Sequence, residues 1–444
     1  MKKEDILKLL KEFISIQTVS ADSKRYGEIL KAVNFLKKHL VNQGFKVEVL
    51  AEKKSPPLVA ATKFVSKEAK TICIYGHYDV QSEDPVDEWK TPPFQLTFSQ
   101  GKLYGRGVAD SKGHVIQNIV SINRLIETNR LNNNIICIFE GEEEVASKHF
   151  EGYMKKLSTI LSKADVFYAV DMGMFKKDMP QIMYGLRGLV YFELEVEIGK
   201  RDLHSGIYGN RVYNPAQVIS HLFSLMKDAK THKVLIPGFY DKVRSISKKE
   251  RKLLLKVSKS DAEQKKEAGV YDVISLDLKQ PYLSSKIYPS LDINGMVSGY
   301  IREGEKTVIP RRAMVKFSCR LVEFQNPIEV QEKVSKFIEK EMPHGVHYDL
   351  KVLSKSAAFY TDIDNSYTQK TAEILSQVFD NETLLNRSGG SVGVAEILQR
   401  LFKKPVILLG FILPDANIHS PNENFDEEMF WKGIEALKSL YSNI

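Results

Sequence analysis

Residues 74–81, Ile74-Tyr75-Gly76-His77-Tyr78-Asp79-Val80-Gln81 (IYGHYDVQ), begin inside the apolar run TICIY at 71–75. A short apolar run closed by a glycine reads as a buried strand. Here it ends in a histidine and an aspartate two residues apart. One His-x-Asp pair is equally what a satisfied histidine at a strand end looks like, so its meaning depends on what lies at the ends of the neighbouring strands.

Working outward, NIICIFEG (134–141), DVFYAVD (165–171) and PVILLGF (405–411) are further short apolar runs, with helical patterns expected at 112–129, 148–162, 366–379 and from Glu427 onward. Helix and buried strand in alternation predict an α/β layer with a mostly parallel central sheet flanked by helices. Upstream, Ile6, Leu9, Leu10 and Phe13 recur at helical spacing in MKKEDILKLLKEF, which reads as an amphipathic helix rather than a signal peptide. Between about 187 and 354 the pattern changes to amphipathic strands and helices, as in LRGLVYFELEVEIG (186–199) and EVQEKVSKFIEKEM (329–342). The simplest organisation is a discontinuous α/β domain, 1–186 plus 355–444, interrupted by an inserted α+β domain at 187–354 with a four-stranded sheet and helices on one face.

At 444 residues and 43% hydrophobic content the chain has enough apolar material for two cores. The formal charge of +8 is a small excess between 64 basic and 56 acidic residues. Basic runs such as SKKERK (247–252), followed by DAEQKKE (261–267), read as solvated helix faces of mixed sign rather than a phosphate-binding groove. Neither nucleic acid nor a membrane is expected as a partner, and no run reaches the length of a membrane span. Cys73, Cys137 and Cys319 each fall in an apolar segment without a close partner, the pattern of buried free thiols in a reducing cytoplasm.

In parallel sheets, ligands gather at the carboxyl ends of the strands. Collected there, beside His77 and Asp79, are Asp110 in the Gly-rich GRGVADSKG (105–113), Glu143 and Glu144 in EGEEEVAS (140–147), Asp171 in AVDMG (169–173) and His419 in NIHSPNE (417–423). Carboxylates within about 5 Å of one another repel by roughly 3 kcal/mol per pair at an effective dielectric near 20, so cations or protons must neutralise such a cluster. Two histidines in the set favour a transition metal such as zinc over magnesium or calcium. Asp79 then suits the carboxylate that receives the second N–H of a metal-bound His77.

The ordered set GHYDVQ, GRGVADSKG, EGEEE, VDMG, DLHSGIYGN, GGS and HSPNE, spread over about 70–425, resembles the di-zinc exopeptidases that include carnosinases, bacterial dipeptidases and acetylornithine and succinyl-diaminopimelate deacylases. KTVIP (306–310) and FSCRLV (317–322) resemble the carnosinase-like branch. The resemblance implies two Zn²⁺ per chain, replaceable by Mn²⁺ or Co²⁺, with Asp110 bridging, His77 and Asp171 completing one ion, and Glu144 and His419 the other. Glu143 is then the general base that takes the proton of a metal-activated water attacking the amide. His204, in the inserted lid and dimerisation domain, is expected to reach the substrate carbonyl, often from a partner subunit. Thr307 and Arg320 are expected to face the substrate, with Gly390 and Ser391 helping to hold its terminal carboxylate. The expected activity is hydrolysis of dipeptides or small peptides by a cytoplasmic homodimer. An N-acyl amino acid deacylase on the same scaffold is the alternative, and an inactive binding module a remote one. Asn210 in place of a common glycine, EVAS after the acidic pair and GGSVGV without its usual proline depart from the pattern; they bear on pocket shape and leave every metal-ligand position filled.

Overall fold

The computed structural model describes every residue except Leu278, Ser391 and Val392. It separates into two compact units: Met1–Tyr184 with Thr361–Asn386 and Gly393–Ile444, and Gly185–Tyr360 with Arg387–Val392.

The first unit is built on a twisted sheet in which Lys46–Leu50, Leu58–Lys63, Asn134–Glu140, Thr71–His77, Val166–Val170 and Val406–Leu409 lie side by side in that order. The last four run parallel. Thr71–His77 and Asn134–Glu140 are buried at every position, as strands covered on both faces must be, which is why they read as unbroken apolar runs. The register sets His77 beside Glu140 and Tyr75 beside Ala169, so that Asp171 comes level with His77 at the same end of the sheet.

The helix Lys112–Glu127 lies buried through most of its length. It is tied to the C-terminal helix Glu427–Asn443 by Gln117 Nε2 donating to the Phe430 carbonyl at 2.8 Å and Ser121 Oγ to that of Ile434 at 2.9 Å. The 148–162 segment forms two helical pieces, Phe150–Lys156 and Ser158–Leu161, rather than one. The three cysteines are buried free thiols. No helix among the described residues is long and apolar enough to cross a membrane.

In the second unit Ser290–Ser298, Arg312–Leu321, Gly188–Glu197 and His347–Ser356 form an antiparallel sheet in that order. Alternate residues of the two central strands, among them Val190, Phe192, Leu194, Val315 and Phe317, pack with Ile219, Leu222 and Phe223 of helix Pro215–Met226 and with Val330, Val334 and Ile338 of helix Pro327–Glu341. The charged insertion differs from its sequence reading. Helix Asp261–Ala268 buries nothing, but helix Lys248–Lys256 buries Leu254 and the carboxylate of Glu250; the partners that make this possible are described below.

Candidate metal centre

Two loops present most of the site. Gly105–Ser111 carries Asp110 and is folded around Glu423, whose carboxylate accepts the N–H groups of Gly107 (2.9 Å), Ala109 (2.8 Å) and Asp110 (3.0 Å) and the Nη1 of buried Arg106 (2.8 Å). The helix after Asp110 can start only because position 113 is glycine: a Cβ there would stand 2.0 Å from the Val108 carbonyl oxygen. The second loop, after Glu140, is pinned by Asp79, whose Oδ1 and Oδ2 accept the N–H groups of Glu143 (3.3 Å) and Glu144 (3.1 Å). Asp171 is held at its strand end by donating its N–H to the Leu409 carbonyl at 2.9 Å. Gly410 permits that approach, since a Cβ on it would come within 1.7 Å of the Met172 carbonyl oxygen.

The side chains converge. His77 Nε2 lies 3.0 Å from Asp110 Oδ1 and 3.4 Å from Asp171 Oδ2, while its Nδ1 faces the Asp79 carbonyl at 3.1 Å and Oδ1 at 3.3 Å. On the other side of Asp110, Oδ2 lies 3.0 Å from His419 Nε2, which is 3.2 Å from Glu144 Oε2. Two triads result, His77–Asp110–Asp171 and Asp110–Glu144–His419, each with its ligand atoms within 4.8 Å of one another and with Asp110 common to both.

The electrostatics describe a cluster that needs positive charge. Burial alone would lower the His77 imidazole, but Asp171 and Asp110 outweigh it and hold its pKa well above the ordinary value. Hydrogen bonds to Asp110 and Glu144 raise His419 to about 10. Burial would push Asp110 up, yet the two histidines hold it well below the usual carboxylate range. Burial raises Asp171 to about 6 and Glu143 to about 8. Glu144 Oε1, moreover, is buried and lacks a hydrogen-bond partner among the described residues. Two imidazoles, a shared carboxylate, two further carboxylates and an unused buried oxygen form a donor set suited to a pair of divalent transition-metal ions, which would replace the protons on the histidines.

In the second unit, His204 is exposed on a two-stranded ribbon opposite Val308, with Ser205 N–H donating to the Thr307 carbonyl at 3.0 Å. Arg320 is on the strand Arg312–Leu321, in register with Ser290 and Leu189. Gly390 gives its carbonyl to the Arg187 N–H at 3.2 Å. Ser391 lies outside the described residues. Two residues at the first-unit site escaped the sequence reading. Gln81 donates to Glu144 Oε2 at 2.8 Å, and Glu423 binds the Asp110 loop. Both stand in motifs already singled out, but Glu423 works on backbone N–H groups, which leave no mark in a sequence.

An α/β sheet with two triads that could each hold a metal ion at its carboxyl edge has the layout of the co-catalytic metallohydrolases. Residues 73–443 match the family described as peptidase family M20/M25/M40, and the chain belongs to that family of metallopeptidases. It is 32% identical over 390 residues to the human Beta-Ala-His dipeptidase, covering 86% of this chain and 76% of that protein. It is 28% identical to the Cys-Gly metallodipeptidase of Schizosaccharomyces pombe, over 98% and 94% of the two chains. An M20 family metallo-carboxypeptidase from Sulfolobus solfataricus has a similar structure, with a TM-score of 0.87, 31% identity and coverage of 100% and 99%.

Proposed function

We propose that this protein is a zinc-dependent dipeptidase that hydrolyses the amide bond of dipeptides or small peptides with a free terminal carboxylate. The observation that carries it is the pair of triads sharing Asp110, with Glu143 close enough to feel the charges of His77, Asp171 and Asp110. In this reading His77, Asp110 and Asp171 hold one ion and Asp110, Glu144 and His419 the other. When bound, the ions supply Lewis acidity, lowering the pKa of a water and polarising the scissile carbonyl.

The remaining steps belong to the chain. Asp79 accepts from the His77 ring and fixes its tautomer, and through the Glu143 and Glu144 N–H groups it also holds the acidic loop in place. Glu143 accepts the proton of the attacking water on its carboxylate and delivers it to the leaving amine. Burial holds Glu143 near 8 in the metal-free protein; cations alongside draw it down, so that it is ionised at neutral pH. His204 supplies a donor to the substrate carbonyl oxygen, Thr307 faces the substrate, and the Arg320 guanidinium, aided by the Gly390 backbone, receives the terminal carboxylate through its fork of donors. A homodimer is supported by the edge strand Ser290–Ser298, where Ile293, Met296 and Val297 are each about half exposed; an open edge with apolar side chains suits a second copy of the same strand.

The likeness to the Sulfolobus carboxypeptidase favours one second reading, removal of C-terminal residues from longer peptides. The test is zinc-loaded protein assayed on Cys-Gly and β-Ala-His, on N-blocked tri- and tetrapeptides, and on N-acetyl and N-succinyl amino acids. A dipeptidase cleaves only the first group, a carboxypeptidase also the second, and a deacylase only the third. Hydrolysis that survives chelation of all metal refutes the proposal. Asp110→Ala is expected to lose both ions, because its two oxygens serve one triad each.

A further inference from the structure

In the second unit Arg244, Glu250, Glu323 and Arg387 form a largely buried net of four charges. Arg244 donates Nη1 and Nη2 to the two oxygens of Glu250, both at 2.8 Å, and pairs through Nε with Glu323 Oε1 at 2.9 Å. Arg387 donates to both oxygens of Glu323, at 2.9 and 2.6 Å, and again to Glu250 Oε1. The Tyr360 ring lies beside both guanidinium groups, 4.8 Å from Arg244 and 5.5 Å from Arg387. Arg387 and Glu250 are each 2% exposed. Desolvating four charges is costly, and well-packed apolar side chains would stabilise the unit as well or better, so the net is better explained by the geometry it fixes.

What it fixes is a short glycine-rich segment. The Arg387 side chain is locked in the net, and its carbonyl accepts Lys286 Nζ at 2.8 Å. Three residues on, the Gly390 carbonyl accepts the Arg187 N–H and the Gly390 N–H donates to Ser388 Oγ at 3.1 Å. Ser388–Gly390 is thus held at both ends, with a cationic residue at each. A Cβ built on Gly389 would meet nothing within 4 Å, so that residue borders open space. The Gly389 backbone, beside open space and between carbonyls held by Lys286 and Arg187, suits a carboxylate. Glu250 reaches the net from helix Lys248–Lys256, whose first turn is capped by Ser247 Oγ accepting the Glu250 N–H at 3.1 Å.

We propose that Glu250 is a positioning residue: through Arg387 it holds the Ser388–Gly390 backbone in place to receive the terminal carboxylate of the substrate. The charged helical insertion is therefore a specificity element of the peptidase. This rests on the reading that the substrate ends in a free carboxylate.

The test compares wild type with Glu250→Gln, which keeps the volume and removes the charge, in the full zinc-loaded chain. The probes are Cys-Gly and its C-terminal amide. The expected result is a fall of about tenfold in the preference for acid over amide, carried by KM for the acid more than by kcat, as for the loss of a ground-state binding interaction. A second readout needs no activity: hydrogen exchange at Ser388–Gly390 in metal-free protein accelerates in the variant, while protection of Arg312–Leu321 does not change. A purely structural role would slow both probes alike and leave their ratio intact, which overturns the proposal. Unchanged exchange at Ser388–Gly390 also overturns it, whatever the activity shows. If wild type cleaves neither probe, the peptidase reading fails and the carboxylate role falls with it, while exchange still decides whether Glu250 positions the segment. Should Glu250→Gln fail to fold, Arg244→Lys, which keeps the charge and loses the fork, must shift both readouts in the same direction by a smaller amount.

Discussion

Glu423 accepts the backbone N–H of Asp110 at 3.0 Å across 313 residues of chain. The same carboxylate holds the N–H groups of Ala109 and Gly107 and the Arg106 guanidinium, so the loop that presents Asp110 is shaped by a residue four positions beyond His419. One buried group thereby ties together segments that supply ligands to both triads.

Glu423→Gln is accordingly expected to weaken metal binding without removing a ligand. Losing an outer partner of a ligand typically costs about 10–100-fold in metal affinity. Chelator competition on the purified variant measures it, and wild-type affinity in the variant would mean that the loop holds its shape without the charge.

Glu143 and Glu144 are adjacent but are expected to perform different tasks. Both donate their N–H to Asp79, but it is the Glu144 carboxylate that lies 3.2 Å from His419. Glu143→Gln is expected to keep its metal and lose roughly 10²–10⁴ in turnover. Glu144→Gln is expected to lose metal from the His419 triad. Metal analysis beside steady-state rates separates the two, and the opposite pattern would exchange their roles.

Stability of the metal-free protein is expected to fall as pH rises. His419 is raised by Asp110 and Glu144 to about 10, so its contribution is complete below its unfolded value near 6.5 and is lost as pH climbs toward 10. Glu143, raised by burial to about 8, acts in the same sense, because folding then opposes its ionisation. In excess chelator the unfolding midpoint should drop between pH 6.5 and 10, and less so in His419→Ala. Zinc uptake at pH 7 should release protons, which calorimetry in buffers of different ionisation enthalpy detects. A midpoint that rises with pH would contradict this account.

His204→Ala should keep its metal and lose about 10²–10³ in turnover, the size of one oxyanion donor. If His204 serves the partner's site in a homodimer, mixing His204→Ala with Glu143→Gln restores part of the activity, since one site of each mixed dimer draws both groups from intact chains. No recovery after demonstrated subunit exchange assigns His204 to its own chain.

Much of this was legible in sequence because it is local chemistry. TICIYGH reads as a strand buried on both faces, and the polar residues after it and after NIICIFE are carboxyl-end residues whatever the rest of the chain does. Helix Ser366–Phe379 and the start of helix Glu427–Asn443 lie where the sequence pattern placed them, and in the structure Asn365 and Asp426 cap them. That His77, Asp110, Asp171, Glu144 and His419 share one place could be suspected from their positions at strand ends. Their pairing into two triads around Asp110 depends on parallel register and on loops closed by Glu423 and Asp79 through backbone N–H groups. Glu250 marks the limit most plainly. In sequence it is one charge in a mixed run, and such runs are normally solvated. Only the fold brings to it Arg387, 137 residues away, and a buried charge is stable only where its partner arrives with it.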